Sequence, residues 1–81
     1  MNRQNTKIKL VTILNSVCGI NEKMICESKH LVDDLAMDSL DLIDTIFEVE
    51  DEFMIKIEGE QIKKVKTFGD MIDLVMKIME K

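Results

Sequence analysis

The sequence predicts an all-α fold, a small four-helix bundle with three main helices and one short helix. Proline is absent and glycine occurs only three times in 81 residues, so few turns of a β-sheet protein can be placed. Apolar residues recur at intervals of three and four, which is the helical period. Residues 1–81 contain no repeat and no linker, and their number suits one domain.

The first helix is predicted from about residue 4 to residue 18. Gly19 follows it and is a residue that commonly ends helices. The next long segment, 19–37, is irregular, and its scattered apolar side chains are expected to pin it across the core: Ile20, Met24, Ile25, Leu31, Val32 and Leu35. The helical spacing before Gly19 is carried by apolar residues: Ile8, Val11, Leu14 (with Ile13) and Val17.

The second helix is predicted to begin at Asp38 or Ser39 and to end at about residues 51–53. Asp38, Asp41 and Asp44 lie in its first turns, where each carboxylate interacts favourably with the helix dipole by ~0.3–1 kcal/mol. A stripe at helical spacing should face the core: Leu42, Ile46, Val49 and Phe53.

Two further helices complete the bundle. A short one is expected near residues 59–65. The last opens at Thr67, and Asp70 three residues later makes a near capping box. Its apolar stripe is regular: Phe68, Met71, Ile72, Val75, Ile78 and Met79.

The net charge of −5 is unevenly distributed. Residues 1–32 carry +3, residues 33–60 carry −10, and residues 61–81 carry +2. A nucleic-acid role is disfavoured because phosphate contacts need a basic face in the region that is here acidic. An acidic surface of this kind attracts basic protein partners.

Cysteine and hydropathy patterns argue against a metal or redox site and against a membrane or secreted protein. Cys18 and Cys26 are most simply free thiols, because their spacing fits no zinc or redox motif and His30 alone cannot complete a metal site. No apolar run approaches the ~20 residues of a membrane span, and the first residues lack a signal-peptide core. The protein is expected to be cytoplasmic and monomeric.

Ser39 stands where a long loop meets an acidic helix. Unpaired backbone N–H groups and a positive dipole at that point would suit a phosphate esterified to its hydroxyl. By spacing alone, a simple N-cap role for Asp38 or Ser39 is the better interpretation. A nucleophilic enzyme is disfavoured, because no glycine-flanked elbow surrounds the serine and His30 has no evident partner arrangement.

The stretch Asp38-Ser39-Leu40-Asp41 closely resembles the Asp-Ser-Leu attachment motif of acyl carrier proteins. Asp33-Asp34-Leu35 resembles the acidic lead-in of that family, Glu48–Phe53 the acidic end of its second helix, and Thr67–Asp70 the opening of its last helix. The resemblance extends over about residues 5–80. Ala36 departs from it, since a glycine is usual there.

This resemblance implies a non-catalytic carrier with an acyl-carrier-protein-like bundle. Ser39 would bear 4′-phosphopantetheine, added from coenzyme A by a phosphopantetheinyl transferase, and acyl groups of fatty acid or related polyketide and lipid synthesis would be held as thioesters. Basic docking patches on acyl-processing enzymes would meet residues at matching positions: Asp38, Leu40, Asp41, Ile43, Asp44, Phe47, Glu50 and Asp51. Without the resemblance, Ile43 and Phe47 would be read as core residues, and the acidic groups as a solvated face.

Two other functions stay open at this point. A related carrier of aminoacyl or peptidyl groups, such as a D-alanyl or nonribosomal-peptide carrier, would share the serine. An unmodified helical adaptor could bind basic partners through residues 38–52.

Overall fold

The computed structural model describes residues 2–80, and it is built from four α-helices. These are α1 (Arg3–Cys18), α2 (Ser39–Phe53), α3 (Gly59–Lys63) and α4 (Phe68–Met79). A short 3₁₀ turn, Glu22–Met24, lies in the loop after α1, and the described residues contain no β-strand. The predicted all-α class is therefore confirmed. Met1 and Lys81, at the ends of the predicted domain, lie outside the described residues.

The ends of α1 and α4 follow local capping chemistry. Gly19 ends α1 with a φ of 70°, and its N–H donates to the carbonyl of Asn15 at 2.9 Å. At the start of α4, the Asp70 N–H donates to Thr67 Oγ1 at 3.1 Å. The Thr67 N–H donates in return to Asp70 Oδ2 at 3.0 Å. Both helix boundaries predicted from Gly19 and Thr67 are confirmed.

The core forms where α1 packs against both α2 and α4. In α1 the buried stripe runs through Thr6, Leu10, Ile13 and Leu14, whereas Ile8 is exposed. Of the stripe predicted from the sequence, Leu14 and Ile13 are buried, and Val11 and Val17 are half-buried against the core, so only the prediction for Ile8 is wrong. The rest of the core comes from the loop after α1, from α2 and the segment that follows it, and from α4: Ile25, Leu31, Leu35, Met37, Val49, Phe53, Ile57, Phe68, Met71, Ile72 and Val75.

Other predicted stripes are confirmed only in part. In α2, Val49 and Phe53 are buried, but Leu42 and Ile46 are half-buried because α3 is too short to cover them. Met79, the last member of the α4 stripe, is exposed at the end of its helix.

The loop between α1 and α2 is fastened to the start of α4 by backbone hydrogen bonds. The N–H groups of Phe68 and Gly69 donate to the carbonyls of Lys29 and Glu27, each at 2.9 Å. The Leu31 N–H donates to the Lys66 carbonyl at 2.9 Å. These paired segments, residues 27–31 and 66–69, are called the strap below.

A close backbone contact at Gly69 and the ion pairs of Arg3 hold the strap in place. A Cβ atom on buried Gly69 would lie 3.1 Å from the Glu27 carbonyl oxygen, so a larger residue there would press the two segments apart. The guanidinium of Arg3 reaches across from α1 and bonds Glu27 and Asp73, each at 2.6 Å. Arg3 thereby lowers the pKa of the Glu27 carboxyl.

The apolar side chains of the loop are divided between core and solvent. Ile25, Leu31 and Leu35 are buried as predicted, but Met24 and Val32 are exposed, which corrects their expected role as core anchors. No helix within residues 2–80 is long and apolar enough to cross a membrane.

Candidate functional site

The first turn of α2 is held by a capping box made from two aspartates. The Asp41 N–H donates to Asp38 Oδ1 at 2.9 Å, and the Asp38 N–H donates to Asp41 Oδ2 at 3.2 Å. Asp38 is the N-cap and has an extended backbone, and Ser39 is the first helical residue. The sequence left open which of the two caps the helix, and the structure assigns the cap to Asp38.

The hydroxyl of Ser39 is therefore left outside the cap and exposed to solvent. It sits at a helix end where backbone N–H groups lack intrahelical partners and the dipole is positive. A phosphodiester on Oγ would meet these groups at close range. Residues of this position and exposure suit covalent attachment of a phosphate-linked group.

The backbone before Ser39 makes a tight change of direction. Met37 is buried and its N–H donates to the Leu31 carbonyl at 3.1 Å. Ala36, directly before it, has a φ of 57°, in the left-handed region. This conformation costs a non-glycine residue roughly 1–2 kcal/mol. Ala36 therefore adopts the left-handed turn that a glycine would favour at this position.

His30 organises the turn that leads toward this position. Its Nδ1 accepts hydrogen bonds from the N–H groups of Val32 at 3.1 Å and Asp33 at 3.0 Å. The backbone N–H of His30 donates to Asp34 Oδ2 at 2.7 Å, and the backbone carbonyl of His30 accepts from the Leu35 N–H. Because Nδ1 accepts, the ring proton of neutral His30 lies on Nε2. Sequence reasoning missed this role, since a histidine acting as a cap has no spacing signature.

A row of large apolar side chains faces solvent along α2. Leu40 is 70% exposed, Ile43 50% and Phe47 65%. The core role that spacing alone would assign to Ile43 and Phe47 is wrong, because α1 covers the opposite side of the helix. Together these side chains leave a strip of apolar surface on the exposed side of α2.

The acidic residues of α2 fall into two groups. Asp44 and Asp51 are exposed and free to face a partner. By contrast, Asp38 and Asp41 are used in the capping box, and half-buried Glu50 accepts a hydrogen bond from the Ile57 N–H at 2.8 Å. Glu50 therefore also fixes the chain that leaves α2. No sequence pattern predicts this bond, because Ile57 lies beyond the end of α2.

Two adjoining clefts open between α2 and α3, and both include Leu42 and Ile62. The first has a volume of about 280 Å³ and is lined mainly by apolar residues of α2, with Lys56 and Ile57 from the following segment. The second has a volume of about 490 Å³ and is closed on its far wall by His30 and its neighbours in the loop. Apolar space is thus available directly beside the helix that presents Ser39.

The two cysteines differ in their surroundings. Cys18 and Cys26 are both free. Burial raises the pKa of the Cys18 thiol, whose Sγ lies 3.4 Å from Thr45 Oγ1, and a hydrogen bond with Ser28 lowers the pKa of the exposed Cys26 thiol. Among residues 2–80 no group of three or more side chains is arranged to hold a metal ion.

Residues 9–75 match the family described as "Phosphopantetheine attachment site". The chain is 33% identical to the acyl carrier protein of Thermotoga maritima over 75 residues, which is 93% of either chain. It is 35% identical to the acyl carrier protein of Chlorobium phaeobacteroides over 77 residues, covering 95% of this chain and 99% of that one.

Solved structures agree with these relatives. The crystal structure of the Thermotoga maritima acyl carrier protein superposes with a TM-score of 0.86 at 35% identity, covering 99% of this chain and 93% of that one. A putative acyl carrier protein from Mycobacterium tuberculosis gives a TM-score of 0.83 at 32% identity, covering 89% and 96%. The matched family binds the 4′-phosphopantetheine prosthetic group. From its sequence, its helices and its attachment domain, the chain belongs to the acyl carrier protein family.

Proposed function

We propose that this chain carries acyl intermediates of fatty acid or related lipid and polyketide synthesis on 4′-phosphopantetheine attached to Ser39 Oγ. When bound, the group supplies a terminal thiol that holds an acyl chain as a thioester. The observation that supports the proposal is that the cap of α2 and the exposed hydroxyl at its start belong to different residues. Asp38 and Asp41 cap the helix, and the Ser39 hydroxyl stays exposed beside the positive helix end.

The attachment step uses coenzyme A and a phosphopantetheinyl transferase. Ser39 Oγ forms a bond to the phosphorus that carries the pantetheine, and the phosphoanhydride bond to the adenosine bisphosphate breaks. The hydroxyl proton passes to a base of the transferase, and adenosine bisphosphate leaves. The chain contributes position rather than catalysis: its capping box fixes the first turn, and buried Met37 fixes the approach to it.

Cargo protection is supported by the clefts between α2 and α3. The cleft of about 280 Å³ is walled by apolar side chains such as Ile46 and Ile57. A short acyl chain placed there would be removed from water. Each buried methylene would make its binding more favourable by roughly 0.8 kcal/mol. Helix α3 has five residues and no fully buried side chain, so it can yield to a longer chain at small cost.

Docking to acyl-processing enzymes is supported by the exposed side of α2. Leu40, Ile43 and Phe47 supply apolar contact, and Asp44 and Asp51 supply charge for basic patches. Asp38, Asp41 and Glu50 add to the same negative field while they hold backbone N–H groups. Exposed charges of this kind raise association rates more than affinity, which suits a carrier that visits several cytoplasmic enzymes in turn.

The attachment is tested by intact-protein mass spectrometry after incubation with coenzyme A and a broad-specificity transferase. We expect the wild type to gain one phosphopantetheinyl group and Ser39→Ala to gain none. Ser28→Ala removes another exposed serine and serves as the matched control, which should be modified fully. Unmodified wild type with intact helical circular dichroism would contradict the proposal and favour an acidic helical adaptor.

The cargo class is tested in a second step. Modified protein is offered an acyl-transferring enzyme and, separately, an adenylating enzyme with amino acids. Thioester formation only with the acyl-transferring enzyme supports an acyl carrier. Loading only by the adenylating enzyme would instead assign the chain to the aminoacyl or peptidyl carriers.

A further inference from the structure

The His30 ring is the side-chain cap of the turn that leads to α2. Its Nδ1 accepts from the N–H groups of Val32 at 3.1 Å and Asp33 at 3.0 Å, and its backbone carbonyl accepts from the Asp34 N–H at 2.9 Å. One residue thus holds three N–H groups of the turn. The backbone of His30 is itself fixed, because it pairs with Thr67 within the strap. The ring therefore acts on the turn from a fixed position.

The far end of the same turn sets where the chain enters α2. The Met37 N–H donates to the Leu31 carbonyl at 3.1 Å, and Ala36 between them is left-handed with a φ of 57°. A bond of this span around a left-handed residue closes a helical turn, as in a Schellman motif. Buried Met37 is followed directly by the cap residue Asp38 and then by Ser39. A turn that opens would therefore loosen the approach to the attachment serine.

Only a neutral ring can cap this turn. When a proton from solvent binds Nδ1, that nitrogen becomes a donor, and both ring nitrogens then donate. The N–H groups of Val32 and Asp33 lose their acceptor in that form. The Asp33 carboxylate lies 3.8 Å from Nδ1, so it can accept the new N–H when the two groups turn toward each other. The ring thus has one set of partners when neutral and another when protonated.

Charged groups of both signs face the ring from the elements packed around it. Asp33 and Asp34 belong to its own turn, and the charge of a protonated ring acts on Asp70 of α4. Lys63 of α3 and Lys66 of the strap line the same cleft as the ring. The carboxylates favour the protonated ring, whereas the lysines and the positive end of the turn favour the neutral one. The ring is therefore placed between charges that favour each of its two forms.

We infer that His30 is a positioning residue for the attachment at Ser39, and that protonation of its ring weakens recognition of this serine by the transferase. The neutral ring holds the turn closed and presents Ser39 in one position, whereas the protonated ring releases the turn. The inference rests on the proposed function and deepens it, because it adds control by pH to the attachment step. A transferase that binds only the closed form meets a smaller competent fraction in acid, so KM for the carrier rises while kcat stays unchanged.

The test measures attachment kinetics across the range in which histidine ionises, between about pH 5 and pH 8. Initial rates of transfer from coenzyme A by a broad-specificity transferase are measured at varied concentrations of wild type, His30→Asn or His30→Ala. Asparagine supplies an acceptor that does not titrate. The KM of the wild type divided by that of His30→Asn cancels the pH dependence of the transferase and of every group that the two carriers share.

This KM ratio should change in one direction only. It should be near one when the ring is neutral and rise about fivefold when the ring is protonated, which is the factor expected for one lost cap. His30→Ala has no acceptor, so its KM should be raised by a similar factor at every pH. Since kcat should be the same for all three proteins, the effect is assigned to recognition.

Nuclear magnetic resonance locates the transition in the wild type alone, so it stays decisive if His30→Asn fails to fold. His30 is the single histidine of the chain, and its ring proton shifts give the titration midpoint directly. The amide shifts of Val32 and Asp33 should follow the same curve, because their N–H groups lose the ring as acceptor. The amide of buried Val49 in α2 should stay constant and report that the fold is intact.

Three results would overturn the inference. These are a KM ratio that is constant across the range, a change that appears only in kcat, or amide shifts of Val32 and Asp33 that do not follow the ring. A wild type that gains no phosphopantetheine at any pH would instead contradict the proposed function. Full attachment with a constant ratio would leave that function standing and remove only the role of His30.

Discussion

One side of the bundle is closed, and the other is open. On the closed side, the strap ties the loop to α4, and Arg3 joins α1, the loop and α4 through two carboxylates. On the open side, α3 is a single short helix, two clefts separate it from α2, and Ile43 and Phe47 face solvent. The contrast teaches that the most tightly bonded contacts and the proposed carrier site lie on different sides, so a substitution on one side should have little effect on the other.

The largest expected effect compares two phenylalanines, one from each side. Phe68 in α4 is fully buried, so Phe68→Ala should lower the free energy of unfolding by about 3–5 kcal/mol. Phe47→Ala on α2 should change it by about 0.5 kcal/mol or less, because that ring is mostly exposed. Urea unfolding followed by circular dichroism measures both, and equal losses would remove the distinction between the two sides.

Phe47→Ala should instead weaken docking. Surface plasmon resonance against an acyl-processing enzyme should show a slower association or faster dissociation for this variant, while Ser39 is still modified. A fully modified variant with unchanged docking would contradict the role given to the exposed side of α2.

His30 is expected to give the next largest effect, at the point where the closed side meets the turn before α2. His30→Ala removes the acceptor for two backbone N–H groups and should cost about 1–2 kcal/mol of unfolding free energy. His30→Asn keeps a side-chain acceptor that can cap the same turn, and it should recover most of the loss. Thermal unfolding compares the three proteins. If Asn is no better than Ala, capping is not what His30 contributes.

The Asp70 carboxylate should make the closed side sensitive to acid. Backbone N–H groups of Thr67 and Lys66 hold its pKa below the ordinary value. A carboxyl with a lowered folded-state pKa adds stability above its unfolded pKa, and that stability is lost as the pH falls through the folded-state value.

Asp70→Asn keeps an acceptor but removes the charge, and at neutral pH it should cost about 0.5–1 kcal/mol. The difference between wild type and variant should vanish in strong acid, below both pKa values. Urea unfolding at a series of pH values measures it. A difference independent of pH would show that the charge of Asp70 does not contribute.

The smallest expected effect is a gain at Ala36. Ala36→Gly relieves the left-handed strain and should raise the unfolding free energy by about 0.5–1 kcal/mol, after allowing for the greater freedom of glycine in the unfolded chain. Ser16→Gly, at an exposed right-handed position in α1, is the control and should lose about 0.5 kcal/mol. Destabilisation by both glycines would contradict the strain at Ala36.

The two sides also differ in how well the sequence predicts them. The starts of α2 and α4 were predicted because Asp38 and Thr67 are local caps, and the chemistry of a cap needs only the next three residues. The burial of Leu10 in place of Ile8 was not predictable, because apolar residues lie around much of α1 and its packing between α2 and α4 decides which of them is buried.

The candidate site, like the fold, was predictable only where local sequence determines the geometry. The position of Ser39 at a helix start follows from sequence, and its family resemblance is confirmed by the relatives. The bonds of His30 Nδ1 and Glu50 were not predictable, because each depends on a turn geometry that forms only when the loop has packed. The exposure of Phe47 likewise depends on which side of α2 packs against α1, and that is decided only in the folded chain.

Ser39 is proposed to hold 4′-phosphopantetheine, whose terminal thiol carries an acyl group as a thioester, and the most direct measurement is the intact mass of the protein recovered from the cells that make it. We expect one phosphopantetheinyl group on the peptide that contains Ser39, with a fraction carrying an additional acyl mass. Neutral hydroxylamine should remove the acyl mass and leave the phosphopantetheine. A protein recovered only at its unmodified mass, with the Ser39 peptide unaltered, would contradict the account.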